Sequence, residues 1–224
     1  MEAKMKKIRA VIYDMDGTLL DSEKLWTNSP LEVLSSLGIK TEEHPAWLYS
    51  SFHKSVREYL KGDNAAGLTV DGMEEMCYAV MRRHYEGHIP LKAGAEELLR
   101  ATAGVKTMVL SNTATPGIEK QLTQNGVRGL VRHVKSLNGK KLNKHYPLCF
   151  LLAALSMGCL PRDCLVVEDS PYAIENAKKA GCSVWAVYDE CHDAETEKIK
   201  GMCDEWFPDL GKAAERFGKL TENE

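Results

Sequence analysis

A chain of 224 residues is long enough to bury a full α/β core and still carry a second, smaller lobe. With 44% hydrophobic and 27% charged residues, a net charge of -3 and a pI near 6.2, it lacks the overall basic excess of a dedicated nucleic-acid binder. A few local cations would still suffice for a small anionic substrate, and the longest mostly apolar stretch, Cys149 to Leu160, falls short of the roughly 20 residues of a membrane span.

The Lys-rich start, Met1 to Arg9, resembles the opening of a signal peptide, but the apolar run behind it, Ala10-Val11-Ile12-Tyr13, stops at Asp14 and Asp16. The expectation is a soluble, cytoplasmic protein, monomeric by default. Seven cysteines (77, 149, 159, 164, 182, 191 and 203) form no CxxC pair, so they read as reduced thiols, most of them small apolar fillers rather than zinc ligands.

Five β-branched or apolar runs follow one another: Ile8–Tyr13, Lys106–Leu110, Leu130–Val134, Cys164–Val167 and Ser183–Tyr188. Between them lie segments with helical spacing, Ala95–Ala103, Pro116–Asn125, Tyr146–Met157 and Pro171–Ala180. Gly126, Gly158 and Gly181 end the last three, where a left-handed residue closes a helix. Near-continuous apolar strands alternating with helices imply a parallel sheet covered on both faces. Residues 21–88 break the rhythm. They carry helical patterns at Leu25–Leu37, Ser55–Leu60 and Met73–Glu86, divided by the turn-rich Lys61–Gly67, and read as a helical lobe inserted after the first strand.

The first strand ends in Tyr13-Asp14-Met15-Asp16-Gly17-Thr18. In an open α/β sheet, ligands bind at the carboxyl ends of the strands. Residues i and i+2 of an extended segment point the same way, so Asp14 and Asp16 can address one bound group. Alone, such a pair reads more simply as a charged turn with an N-cap aspartate. Three other strand or helix ends shift the balance: Ser111-Asn112-Thr113, Lys144 ahead of a helix starting near Pro147, and Glu168-Asp169-Ser170. Together they offer a nucleophile, a hydroxyl, a cation and metal-binding carboxylates.

On these residues the sequence resembles the haloacid dehalogenase superfamily, in the branch with a helical cap inserted after the first motif. Asp14-Met-Asp-Gly-Thr-Leu-Leu-Asp-Ser-Glu23 is a near-complete first motif, Ser111-Asn112 matches the second, and Glu168-Asp169-Ser170-Pro171 with Gly181 matches the fourth. The third departs from the pattern: Lys144-His-Tyr-Pro147-Leu-Cys-Phe150 keeps Lys, the second Pro and Phe but loses the first Pro and the Asp. Lys140 and Lys141 are therefore alternative cations. The resemblance implies an α/β Rossmann-like core, 1–20 and 89–224, with an α-helical cap over 21–88.

It also implies a phosphatase acting on a small phosphorylated metabolite, a sugar phosphate or nucleotide-like monoester. Asp14 would be the nucleophile, forming an aspartyl-phosphate, and Asp16 the general acid and base. Mg²⁺ would be held by Asp14, the backbone carbonyl of Asp16, and Asp169, with Glu168 as a ligand or supporting partner. Asp16, Gly17, Ser111, Asn112 and Lys144 would form the phosphate site, Ser111 and Lys144 steadying its non-bridging oxygens. A dehalogenase has no need of Asp16 or of the acidic pair. A sugar phosphomutase of the β-phosphoglucomutase kind typically carries a His in the first cap helix, where this chain has Trp26. A regulatory binding protein on an inactive fold is the reading from another class, against which both aspartates argue. Substrate selection would fall to cap residues, with Trp26, His53, Lys54 and Arg57 as candidates beside Trp47. His84 and His88 read as ordinary surface residues.

Overall fold

The structure, a computed structural model, describes residues 7–49, 51–62 and 67–222. The first six residues of the Lys-rich start and the middle of the Lys61–Gly67 turn lie outside that description. The chain divides into two compact units, Met1–Asp21 with Pro90–Glu224, and Ser22–Ile89.

In chain order the elements are β1 (Ala10–Tyr13), α1 (Glu23–Ser36), α2 (Phe52–Lys61), α3 (Val70–His84), α4 (Ala95–Ala101), β2 (Lys106–Ser111), α5 (Thr115–Gln124), β3 (His133–Ser136), α6 (Pro147–Ser156), β4 (Cys164–Glu168), α7 (Pro171–Lys179), β5 (Ser183–Val187), α8 (Thr196–Met202), β6 (Glu205–Phe207) and α9 (Leu210–Glu222). The strands form one parallel sheet in the order β3-β2-β1-β4-β5-β6. The parallel sheet expected from the alternation, and the α/β Rossmann-like architecture that the resemblance implies, are therefore the fold of the core. β1, carrying the two aspartates at its end, lies between β2 and β4, so the second and fourth motifs emerge on either side of the first.

Period-2 alternation divides the strand residues between two cores. Ala10, Ile12, Met108, Leu110, Cys164, Val166, Val184 and Ala186 pack with Phe150 and Ala153 of α6 and Ile174 and Ala177 of α7. Facing the other way, Tyr13 hydrogen-bonds Thr102 at 2.7 Å, and Trp185 meets Phe217 of α9 edge-on at 6.2 Å. Fully buried side chains such as Phe150 and Trp185 each contribute about 1.5–3 kcal/mol or more through desolvation.

Several expected boundaries move. The first strand begins at Ala10 rather than Ile8. The apolar run from Leu130 is not yet strand: Arg128–Leu130 is a 3-10 turn, and pairing starts at His133. Thr107 explains the delay, because its hydroxyl donates to the Leu130 carbonyl at 3.0 Å and accepts from the Arg132 amide at 3.0 Å. The sixth strand and the last two helices escaped the sequence reading. β6 has only three residues at a sheet edge, where hydrophobic periodicity carries little signal. The glycines at 126, 158 and 181 do adopt positive φ, 72°, 67° and 90°.

Gly94 is the most constrained glycine. Its φ is +82°, and a Cβ there would overlap the backbone of Gly211 at the start of α9. Gly94→Ala should destabilise the fold by about 2–5 kcal/mol, from the left-handed penalty and overpacking together. Urea unfolding measures this; an unchanged midpoint would contradict the packing described.

The unit Ser22–Ile89 is helical. Val33 and Leu34 of α1, Phe52 and Val56 of α2, and Met73, Cys77 and Val80 of α3 form its core. α2 starts at Phe52, three residues ahead of the expected Ser55. α3 starts at Val70 instead of Met73, because the Thr69 hydroxyl caps it by accepting from the Gly72 amide at 3.1 Å.

The cysteines are free thiols. Cys77, Cys149, Cys159, Cys164 and Cys182 are buried, and Cys191 and Cys203 are half-buried. Burial pushes the Cys77 thiol up to about 11 and those of Cys164 and Cys182 up to about 12. Since the thiolate is the reactive form, alkylation of the native protein should be confined to Cys191 and Cys203, the other five reacting only after unfolding. Peptide mapping tests this, and native labelling of Cys164 or Cys182 would contradict it.

Candidate active site

Asp14 leaves the end of β1 with its amide donating to the Val167 carbonyl at 3.0 Å, fixing the first aspartate against β4. The chain then turns. Gly17 takes φ +76°, Gly17 N donates to Leu20 O at 3.0 Å, and Leu19 and Leu20 N donate back to Met15 O. A Cβ at Gly17 would overlap the Asp169 carboxylate, so glycine is required there for conformation and for space.

Lys144 forms the centre of the site. It is buried, and its ammonium donates to Asp14 and, at 2.7 Å, to Glu168 Oε1. Lys140 and Lys141 are exposed, so Lys144 is the cation that the fold delivers despite the altered motif around it. The motif's new residues lie at the surface, where His145 stacks on Tyr172 at 4.1 Å and Tyr146 and Leu148 are about half exposed. Glu168 Oε2 accepts from the amides of Asp169 and Ser170, both at 2.8 Å. With both oxygens engaged, Glu168 acts here as the support of Lys144.

Asp169 is wholly buried. Thr18 Oγ1 donates to its Oδ1 at 2.8 Å, while Oδ2 has no hydrogen-bond partner among the described residues. Ligand atoms of Asp14, Glu168 and Asp169 lie within 4.8 Å of one another. Fully ionised, these three carboxylates outweigh the single Lys144 ammonium in a buried space. Oxygen ligands, an excess negative charge and an unsatisfied carboxylate oxygen together fit a hard divalent cation.

The electrostatics follow from burial and charge. Burial pushes the Asp14 carboxyl well above the usual range against the pull of Lys144, and the neighbouring carboxylates push it further. Glu168 is raised by burial in the same way, with Lys144 opposing. Burial works against the Lys144 ammonium, yet Asp14 and Glu168 outweigh it and hold the lysine charged. Asp169 goes the other way. Burial would raise it, but the His192 imidazole, Lys92 and the Thr18 hydroxyl together keep it low.

Asp16 has a separate environment. Its Oδ2 accepts from Thr113 Oγ1 at 2.8 Å and Ser111 Oγ at 3.1 Å, while the Thr113 amide donates to Ser111 Oγ at 2.9 Å. Ser111 therefore orients Asp16, and Asn112 beside it is exposed. Thr18, Thr113, Lys92 and His192 were missed by the sequence reading. Thr18 lies within the first motif and Thr113 directly after the second, and their hydroxyls hold Asp169 and Asp16 respectively. Lys92 and His192 lie in loops with no local pattern.

The four candidate cap residues belong to the helical unit, where they engage one another and its core. His53 Nδ1 and Arg57 meet Glu74 at 3.0 and 3.5 Å, and Lys54 lies over the Tyr49 ring at 3.6 Å. Trp26 packs on Phe52 and Tyr78, with ring centroids 5.4 and 5.9 Å away, and Trp47 packs on Tyr59. His84 pairs with Glu32 at 2.8 Å.

The chain is 28% identical over 180 residues to hexitol phosphatase B of Escherichia coli K12, covering 78% of this chain and 81% of that protein. It is likewise 28% identical over 193 residues to haloacetate dehalogenase H-2 of Moraxella sp., covering 80% and 85%. A predicted phosphoglycolate phosphatase of Haemophilus somnus shares the fold, with TM-score 0.75 at 20% identity, covering 95% of this chain and 99% of that one. The family model of the haloacid dehalogenase-like hydrolases matches residues 11–187, from within β1 to the end of β5. The chain belongs to the haloacid dehalogenase-like hydrolase family.

Proposed function

We propose that the chain is a Mg²⁺-dependent phosphatase of small phosphate monoesters, with a sugar phosphate or a nucleotide-like ester as substrate. One observation carries the reading: buried Lys144 ties Asp14 to Glu168 beside Asp169, while Asp16 hangs separately from two hydroxyls. Two carboxylates in unlike environments suit two roles. Asp14 attacks phosphorus to form an aspartyl-phosphate as the ester bond breaks. Asp16 gives its proton to the leaving oxygen, then takes one from the water that attacks the same phosphorus and frees Asp14. Ser111 and Thr113 fix the Asp16 carboxylate through its Oδ2, which orients the group for the proton transfers. Asp14, the Asp16 carbonyl and Asp169 would hold Mg²⁺, which supplies charge neutralisation for an anionic nucleophile and an anionic substrate. Lys144 adds fixed positive charge beside the nucleophile.

A hexitol phosphatase among the similar proteins supports a sugar- or polyol-phosphate substrate. Trp26, set in an aromatic cluster, has no acid–base function to offer a mutase. The test is a panel of hexose, hexitol and nucleoside phosphates, with chloroacetate as the dehalogenase arm, each with Mg²⁺ or with chelator. Mg²⁺-dependent phosphate release is expected. Halide release without phosphate release would overturn the reading, and interconversion of sugar phosphates without net hydrolysis would favour the mutase.

A further inference from the structure

The loop after β5 contains no family motif, yet it reaches the acidic centre. His192 is buried, and its Nε2 faces Asp169 Oδ2 at 3.5 Å. Both ring nitrogens and that oxygen lack hydrogen-bond partners among the described residues. An imidazole ordinarily satisfies at least one nitrogen when buried, so this facing pair needs an explanation.

The loop is held firmly in place. Lys92 Nζ donates to Gly17 O and Tyr188 O, both at 2.8 Å, and to Asp189 Oδ2 at 2.7 Å. It thereby ties the aspartate turn to the loop. Asp189 Oδ1 accepts from the Cys191 amide at 2.9 Å, and the Asp189 carbonyl accepts from the His192 amide at 3.0 Å. Glu195 lies 3.5 Å from His192 Nδ1 on the far side of the ring. Asp169 is thus bracketed, with Thr18 on Oδ1 and His192 with the Gly17 turn against Oδ2.

We infer that His192 is a positioning residue, whose Nε2–H holds the Asp169 carboxylate in the orientation that binds the divalent cation. The inference rests on the phosphatase reading above, in which Asp169 is a metal ligand. A carboxylate oxygen has two lone-pair directions, so one can face the cation while the other accepts from His192. Partners of this kind typically change metal affinity 10- to 100-fold. Lys92 and Asp189 fix the loop that carries the imidazole.

The test is Mg²⁺ binding by calorimetry, with no substrate present, to the unsubstituted chain, His192→Leu and His192→Gln. The Leu variant, which keeps volume but has no donor, should bind Mg²⁺ about 10- to 100-fold more weakly. The Gln variant retains an N–H donor and should recover most of that affinity. Cooperative urea unfolding establishes that each variant is folded; should Leu fail, His192→Ala is read in its place. Unchanged Mg²⁺ affinity in the folded donor-less variant overturns the inference and leaves the metal site standing. Failure of the unsubstituted chain to bind Mg²⁺ overturns the metal reading itself, and the role of His192 with it.

Discussion

Asp14→Asn should abolish turnover, lowering it by about 10⁴-fold or more, while the protein still folds. Asn has nearly the shape of Asp, and its carbonyl oxygen can still accept from Lys144. What it lacks is the anionic oxygen that bonds to phosphorus. The excess charge of the buried group also falls, because one of three carboxylates next to a single lysine becomes neutral. Folded stability should therefore be unchanged or slightly higher, and the loss cannot be charged to unfolding. Initial rates beside a urea melt check both halves. Residual activity near that of the unsubstituted chain would remove Asp14 as nucleophile.

Lys144→Met should cost both stability and activity. The substitution keeps most of the buried stem and removes the ammonium, stranding Asp14 and Glu168 where water does not reach them. Breaking a buried pair by removing one partner typically costs about 3–5 kcal/mol. The pH dependence has a definite sign. Burial already raises both carboxyls, and Lys144 is the principal influence holding them down. Without it they rise further above their unfolded values. A group raised in the folded state contributes stability that is present below its unfolded pKa and lost as pH rises through its folded pKa. The variant's stability deficit should accordingly widen from acid to neutral pH and narrow as the carboxyls protonate. Urea melts across that range test this; a deficit independent of pH would mean that the lysine is not paired as described. Turnover should fall at least about 10²-fold, as when one preorganised electrostatic donor is removed.

The residues legible in the sequence were those at the ends of apolar strands. Asp14, Ser111 and Glu168-Asp169 end or follow β1, β2 and β4, three adjacent strands of the sheet. Strand end and site coincide in an open α/β sheet, so a one-dimensional pattern carried three-dimensional information. Lys144 lies ahead of a helix instead; the altered third motif points to it only in part, and its burial sets it apart from the exposed Lys140 and Lys141. Lys92 and His192 were illegible for a related reason. Each acts across the fold, Lys92 on Gly17 and Tyr188 and His192 on Asp169, through contacts that leave no spacing in the chain. Thr113 directly follows the second motif, but that its hydroxyl joins that of Ser111 on Asp16 is decided by the backbone after β2. The cap candidates were chosen as polar or aromatic residues on helices. In the helical unit those same properties serve His53 and Arg57 at Glu74, and Trp26 in the aromatic cluster.

On the proposed phosphatase mechanism, the substrate's phosphoryl group resides for a time on Asp14. The direct measurement is to quench the enzyme during turnover of a hydrolysed ester, reduce it with borohydride, and map the peptides by mass spectrometry. Reduction of an aspartyl-phosphate gives homoserine, so homoserine should appear at position 14, only with substrate and Mg²⁺ present. Turnover with unmodified Asp14, or with the modification at another carboxylate such as Asp16 or Asp169, would contradict the account.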